Sequence, residues 1–193
     1  TTIAVGDVTA VSFARNFQSL PVSLIGIAFS IAAFPALSAA AADGDRARFV
    51  SLVRVNAITI AALASAAAIG VFVLGGFAIR LFLGGGEFGE DDIERTTMVL
   101  TAFAIAIPFE SLVYLLSRAI FATRHTLFQA IASVAGIGIT MAATLLLVDT
   151  LDLLALPIGF AIGQAAKTAM LAAVLGWRLR VWPATSPRAG SSA

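Results

Sequence analysis

Apolar residues run through this chain in long blocks. They form neither the single stripe of a soluble amphipathic helix nor the alternation of a strand. The stretch Pro21 to Pro35, PVSLIGIAFSIAAFP, carries no charge and continues into Ala36-Leu37-Ser38 and an alanine run. Such a run is too costly to leave in water and is long enough, with its extension, to reach the roughly 20 residues a membrane span requires. Four further blocks repeat the theme, giving predicted spans at about 8–42, 49–82, 91–123, 126–148 and 152–180. These blocks are too long for the strands of a membrane barrel, and barrel-type alternation is absent. The pattern predicts an all-α polytopic membrane protein with five transmembrane helices.

The breaks between blocks have their own chemistry. Asp43-Gly44-Asp45-Arg46 separates the first two spans, and Arg124-His125 is a very short turn between the third and fourth. Gly75-Gly76 predicts a bend or break, because paired glycines weaken a helix, leaving 77–83 as a short interfacial piece around Arg80. The glycine-rich stretch 84–89 reads as an external loop. Its acidic continuation, Glu90-Asp91-Asp92, suits the start of the next helix. Pro108 falls inside the third span, and Pro157 in the first turns of the fifth, where proline costs least. Residues 1–182 form one membrane domain, and the Pro-, Ser- and Gly-rich 183–193 reads as a disordered cytoplasmic tail. The opening TTIAVGDVTA has no Met, so the first residue is taken as an arbitrary cut.

Composition agrees with the blocks. Hydrophobic residues make up 60% of the chain and charged residues 12%, with a mean hydropathy of +0.99; a soluble domain carries roughly twice that charged fraction. Basic residues gather at alternate breaks: Arg46, Arg48 and Arg54 at one, Arg118 and Arg124 at the next, Arg178, Arg180 and Arg188 at the last. The other breaks are acidic, with Glu87 to Glu94 in one and Asp149 and Asp152 in the other. Positive residues stay on the cytoplasmic side, which predicts an external N-terminus and a cytoplasmic C-terminus. Net charge of +1 makes no bulk case for nucleic acid, and no such partner is expected.

Candidate chemistry is sparse. There is no cysteine and one histidine, His125, so neither a thiolate metal site nor a His cluster is available. No Ser-His-Asp set and no paired carboxylate within a span is present, so no catalytic, metal or cofactor site is expected. The stretch Gly84 to Gly86 lacks the preceding strand and the Gly-Lys-Ser/Thr of a phosphate loop. Arg15 reads in two ways: as a cavity cation, or as an interfacial arginine snorkelling to the outer headgroups. Asn16, Gln18 and Ser19 suit a polar lining or hydrogen bonds between helices. Tyr114 suits substrate contact or packing, and Pro21, Pro35 and Pro108 suit hinges or static kinks. Glu110 and Lys167 stand out, because a charge at mid-bilayer costs roughly 2.5–3.5 kcal/mol. They lie at similar depth with opposite sign, which predicts a shared polar region in which they pair directly or through water.

Several motifs together resemble the lipid II flippase family of the MurJ or MviN type. They are Ala14, Leu20-Pro21, Gly26-Ile27-Ala28 and Phe34-Pro35-Ala36-Leu37-Ser38, then Arg80-Leu81-Phe82, Gly86-Glu87-Phe88 and Asp92, then Arg118-Ala119-Ile120-Phe121-Ala122. The resemblance covers most of the chain. It implies helices eight to twelve of a fourteen-helix fold, with the first lobe of the same protein as the missing partner. It also implies movement of an undecaprenyl-linked peptidoglycan precursor across the bacterial cytoplasmic membrane by alternating access, without a cofactor and among membrane lipids. The pyrophosphate of such a carrier needs cationic or amide donors, for which Arg15, Asn16, Gln18, Glu110, Tyr114 and Lys167 are the candidate cavity residues. Some donors are rearranged. The family's arginine aligns with Asn16, one place from Arg15; a basic residue aligns with Tyr114; asparagines align with Thr140, Thr144 and Lys167. A related multidrug or oligosaccharide-lipid exporter and an inactive scaffold remain as alternatives.

Overall fold

The computed structural model describes residues 5–83, 89–124 and 126–182, the side chains of 5–8 and 83 excepted. The proposed tail 183–193, His125 and most of the glycine-rich loop lie outside the described residues. Helix α1 (Val5–Pro21) passes into a six-residue π-helical segment (Val22–Ile27) and then α2 (Ala28–Ala42). Helix α3 (Arg46–Leu83) follows, then α4 (Glu90–Ala104) and α5 (Ile107–Ala122). Helix α6 (Thr126–Leu151), a 3-10 turn (Asp152–Leu154) and α7 (Ala155–Arg180) complete the fold. No strand occurs among the described residues.

Three stretches are by length and composition able to cross a membrane: Thr9–Ala42, Arg46–Phe82 and Thr126–Arg180. The pair α4 and α5, bent by 43°, makes a fourth. The stretch from Thr126 to Arg180 is folded back at the 3-10 turn, where Asp152 takes a left-handed φ of 46°. Its two 26-residue helices, each about 39 Å long at 1.5 Å per residue, are each long enough to cross a membrane. The five predicted spans all fall on helical structure, while three stretches, or four with the bent pair, meet the length and composition of a span.

Helix α5 is the centre. Nine of its sixteen residues are buried, whereas α6 buries only Ala132 and Gly136. Leu37 of α2, Phe49 and Ile60 of α3, Leu115 and Ile120 of α5 and Leu171 of α7 form the main core. A second core joins Ala14 of α1 to Ile79 of α3 and Val99, Leu100 and Phe103 of α4. Outward faces stay apolar, as Phe72, Val73 and Phe77 on α3 and Val134, Met141 and Leu145 on α6 illustrate. A helix dry on all sides belongs in a membrane or deep within a larger assembly.

The expected break at Gly75-Gly76 does not occur, and 77–83 is not a separate interfacial piece: α3 runs through both. The glycines serve helix packing instead. A Cβ on Gly75 would sit 3.2 Å from Leu100 Cδ2, and one on Gly76 would sit 3.2 Å from Thr97 Cγ2. Glycine at adjacent positions is what lets α4 lie close against α3, as small residues do between membrane helices. The α6–α7 hairpin uses the same device in constant antiparallel register. Gly136 faces Lys167, Thr140 faces Gly163 and Thr144 faces Gly159. A Cβ on Gly163 would stand 3.0 Å from the Gly136 carbonyl oxygen, and one on Gly159 2.8 Å from the Thr144 nitrogen. Gly138, by contrast, has nothing within 4 Å of an added Cβ. Gly163→Leu should therefore destabilise by about 1–3 kcal/mol or more through overpacking, while Gly138→Ala should be neutral or stabilising by up to about 1 kcal/mol. Thermal unfolding of the detergent-solubilised full-length protein checks the pair, and equal midpoints would contradict this seam.

At the basic end, the last turn of α7 is tied to the α2–α3 turn. Arg46 Nε–H donates to the Leu179 carbonyl at 2.7 Å, placing a cation at the negative end of α7. Trp182 Nε1–H donates to the Gly44 carbonyl at 3.2 Å, and its ring packs on Phe49 at 5.2 Å.

Candidate functional site

The site begins at the break between α4 and α5. Proline has no N–H to donate, so Pro108 leaves a backbone acceptor unfilled and ends a continuous helix there. The chain turns at Ile105 and Ala106, and α5 restarts with Pro108 in its first positions. A new helix N-terminus, with its partial positive charge, is thereby created inside a span. Glu110 lies in that first turn. Its carboxylate is also held from α1: Arg15 Nη2 donates to Oε1 at 2.9 Å and Nη1 to Oε2 at 3.1 Å, a bidentate pair. Gln18 Nε2 donates to Oε2 at 2.9 Å, while the Gln18 side-chain oxygen accepts from Arg15. The Phe160 ring of α7 lies 4.4 Å from the guanidinium carbon, within cation–π range. The Glu110 side chain is 8% exposed and that of Arg15 36%. Three helices are thus knotted at one point, just before the π-helical segment. There Gly26 lets α1–α2 approach α5 so closely that a Cβ would fall 2.7 Å from Ser111 Cα.

A cavity of about 290 Å³ opens beside this knot, between α5, α6 and α7. Glu110, Tyr114 and Arg118 line it from α5, Gln129 from α6, and Gln164 and Lys167 from α7. A smaller space of about 170 Å³ adjoins it past Gln164 and Lys167 and reaches Thr140. The Gln129 and Gln164 side-chain oxygens are buried with no hydrogen-bond partner among the described residues; as acceptors they call for a donor and not for an anion. Lys167 reaches the cavity because Gly136 lets its stem lie flat; a Cβ on Gly136 would meet Lys167 Cβ at 3.2 Å and Cδ at 3.3 Å. Arg118 leans on Phe34, with its guanidinium carbon 5.6 Å from the ring centre. Thr168 ties α7 to α5 through Oγ1–H, shared between the Phe109 carbonyl at 3.0 Å and that of Gln164 at 2.8 Å.

The six residues singled out from sequence divide. Arg15, Gln18 and Glu110 meet in one hydrogen-bonded knot. Glu110 also lines the cavity, together with Tyr114 and Lys167. Asn16 turns outward and is exposed. Its backbone carbonyl accepts from Ser19 Oγ at 2.7 Å. One expectation needs correction, and one open reading is decided. Of the two readings of Arg15, the inward one fits its side chain, which pairs with Glu110. Glu110 and Lys167 do face one polar region, as expected, but they form no ion pair: Arg15 takes the carboxylate. Lys167 has no hydrogen-bond or ion-pair partner among the described residues and shares the cavity lining with Glu110. Gln129, Gln164 and Arg118 were not singled out as lining. Gln129 and Gln164 are single amides in apolar helices, and that scarcity was the available signal. Among the described residues, no group of three or more His, Cys, Asp or Glu is placed to hold a metal.

A strand-free bundle of apolar helices, with charged and amide side chains enclosed at mid-span, is a polytopic membrane protein. The profile of the family described as "Lipid II flippase MurJ" matches residues 1–188. The chain belongs to the lipid II flippase MurJ family. It is 28% identical over 138 residues to a "Probable lipid II flippase MurJ" of Thermotoga maritima (strain ATCC 43589 / DSM 3109 / JCM 10099 / NBRC 100826 / MSB8), a match covering 70% of this chain and 28% of that protein. Its fold is similar to a solved structure titled "Lipid II flippase MurJ, inward closed conformation", with a TM-score of 0.79 and 19% identity, covering 88% of this chain and 36% of that one. The chain thus spans about a third of the length of these relatives.

Proposed function

We propose that this chain forms most of one lobe of a lipid II flippase and that its mid-span cavity receives the charged headgroup. Family membership supports the substrate class. The observation that carries the reading is Lys167: a cation at membrane depth, without an ion-pair partner among the described residues, facing a cavity lined by amides. A charge is kept in a span only where it faces a wet or ligand-filled space, and cations with amide donors suit a pyrophosphate. The rest of the protein supplies the other lobe, and rocking of the lobes exposes the headgroup to each side in turn. The basic end faces the cytoplasm of a bacterium, by the positive-inside rule. The protein is then a transporter and not an enzyme. The test is complementation of a flippase-depleted bacterium with the full-length gene. Growth is expected to be restored; failure despite normal membrane insertion would overturn the proposal.

A further inference from the structure

A larger cavity lies elsewhere. At the basic end, the ends of α2, α5 and α7 enclose about 700 Å³. Ser38 and Ala42 line it from α2, Phe121 and Arg124 from the end of α5, and Arg178 and Trp182 from the end of α7. No acid lines it among the described residues. Two acids stand in the adjoining turn: Asp43 is exposed, and the Asp45 carboxylate accepts the Arg48 backbone N–H at 2.9 Å, capping α3.

The walls are built. Trp182 is locked by its bond to the Gly44 carbonyl and its packing on Phe49. Arg178 is held against Trp177 at 5.5 Å and Phe128 at 5.8 Å, measured to the ring centres. Its Nη2 is buried with no hydrogen-bond partner. That nitrogen packs away from the open space, and the cavity that Arg178 lines offers its charge no carboxylate among the described residues, a counter-charge that an anion within the cavity would supply. Arg124 stands opposite on the turn after α5, where its φ of 62° is a conformation few non-glycine residues adopt.

We infer that this cavity binds a phosphate ester, the phosphate between Arg178 and Arg124 and the organic part against Phe121 and Trp182. Two guanidiniums facing one space without a carboxylate match a phosphate better than any neutral group. The aromatic and alanine walls match an acyl or glycerol portion. A phospholipid of the adjacent leaflet carries such a group at this depth, and a soluble phosphate ester carries the same group from the aqueous side. The site shares only Phe121 with the mid-span cavity, and the inference does not depend on which substrate is transported.

Titration of the full-length protein in neutral detergent tests it, with the thermal midpoint as readout. The probes are dioctanoyl phosphatidylglycerol, dioctanoylglycerol as the phosphate-free counterpart, and inorganic phosphate. Phosphatidylglycerol should stabilise saturably, and Arg178→Gln should weaken that response about ten-fold, the loss of one charge-assisted hydrogen bond. Arg178→Lys should recover part of it. Competition by inorganic phosphate assigns the site to soluble phosphates; its absence assigns the site to the lipid. If Arg178→Gln fails to fold, Ala42→Phe fills the cavity and leaves both arginines in place, and it should also suppress the response. Equal stabilisation by dioctanoylglycerol, or an unchanged response in the Arg178 and Ala42 variants, would overturn the inference.

Discussion

Glu110→Gln should be the most destabilising single change in the membrane interior, at about 3 kcal/mol. The change leaves Arg15 without a counter-charge at a depth where water is scarce. Breaking a buried pair by removing one partner costs about 3–5 kcal/mol, and the open face of Arg15, 36% exposed, puts this pair at the low end. Arg15→Met should cost less. The carboxylate it strands keeps the N-terminus of α5 and the Gln18 amide. The double change Arg15→Met/Glu110→Gln should be milder than the sum of the two, because contacting residues couple by about 0.5–3 kcal/mol. Thermal unfolding of the four proteins in one detergent gives the cycle. Additive losses would mean that the two side chains stand near each other without holding the fold.

The second large effect falls on transport. Lys167→Met should leave the unfolding midpoint almost unchanged, because no ion pair is broken and the aliphatic stem still fills the groove over Gly136. Headgroup binding should nevertheless fall about ten- to one-hundred-fold, the range for a lost hydrogen bond to a charged group. Lys167→Arg should retain part of the activity. Gly136→Val should lower both stability and transport, since any Cβ there presses on the Lys167 stem. A transport assay in vesicles, read beside the unfolding midpoint, separates these patterns. A Lys167→Met protein that transports normally would remove Lys167 from the headgroup site.

Much of the architecture could be read from block lengths and charge. The all-helical, strand-free architecture emerged because the apolar runs are too long for barrel strands, and the turn at Arg124 and the acidic turn at Asp152 separate the helices that follow them. What escaped the reading was decided by neighbours in space. Gly75-Gly76 weakens an isolated helix, yet Leu100 and Thr97 of α4 fill the groove it opens. Glu110 and Lys167 line one cavity, as their positions along the third and fifth predicted spans suggested. The partner of Glu110 was nevertheless set by the break before Pro108 and by the approach of α1. Arg15 left two readings open because it lies near the start of its span; no local pattern shows that Phe160, far along the chain, covers it. Gln129 and Gln164 needed the α6–α7 register before they could be seen to face the same space.

The division of labour between the two cations is the central claim: Arg15 is neutralised by Glu110 and braces the bundle, while Lys167 meets the headgroup. Equilibrium binding of lipid II to the full-length protein tests it most directly, comparing Lys167→Met with the charge-balanced Arg15→Met/Glu110→Gln. The double variant should bind within about three-fold of the parent, less than one lost charge-assisted hydrogen bond, and Lys167→Met should bind at least about ten-fold more weakly. The reverse ranking, with Lys167→Met binding like the parent and the double variant failing while still folded, would contradict the claim.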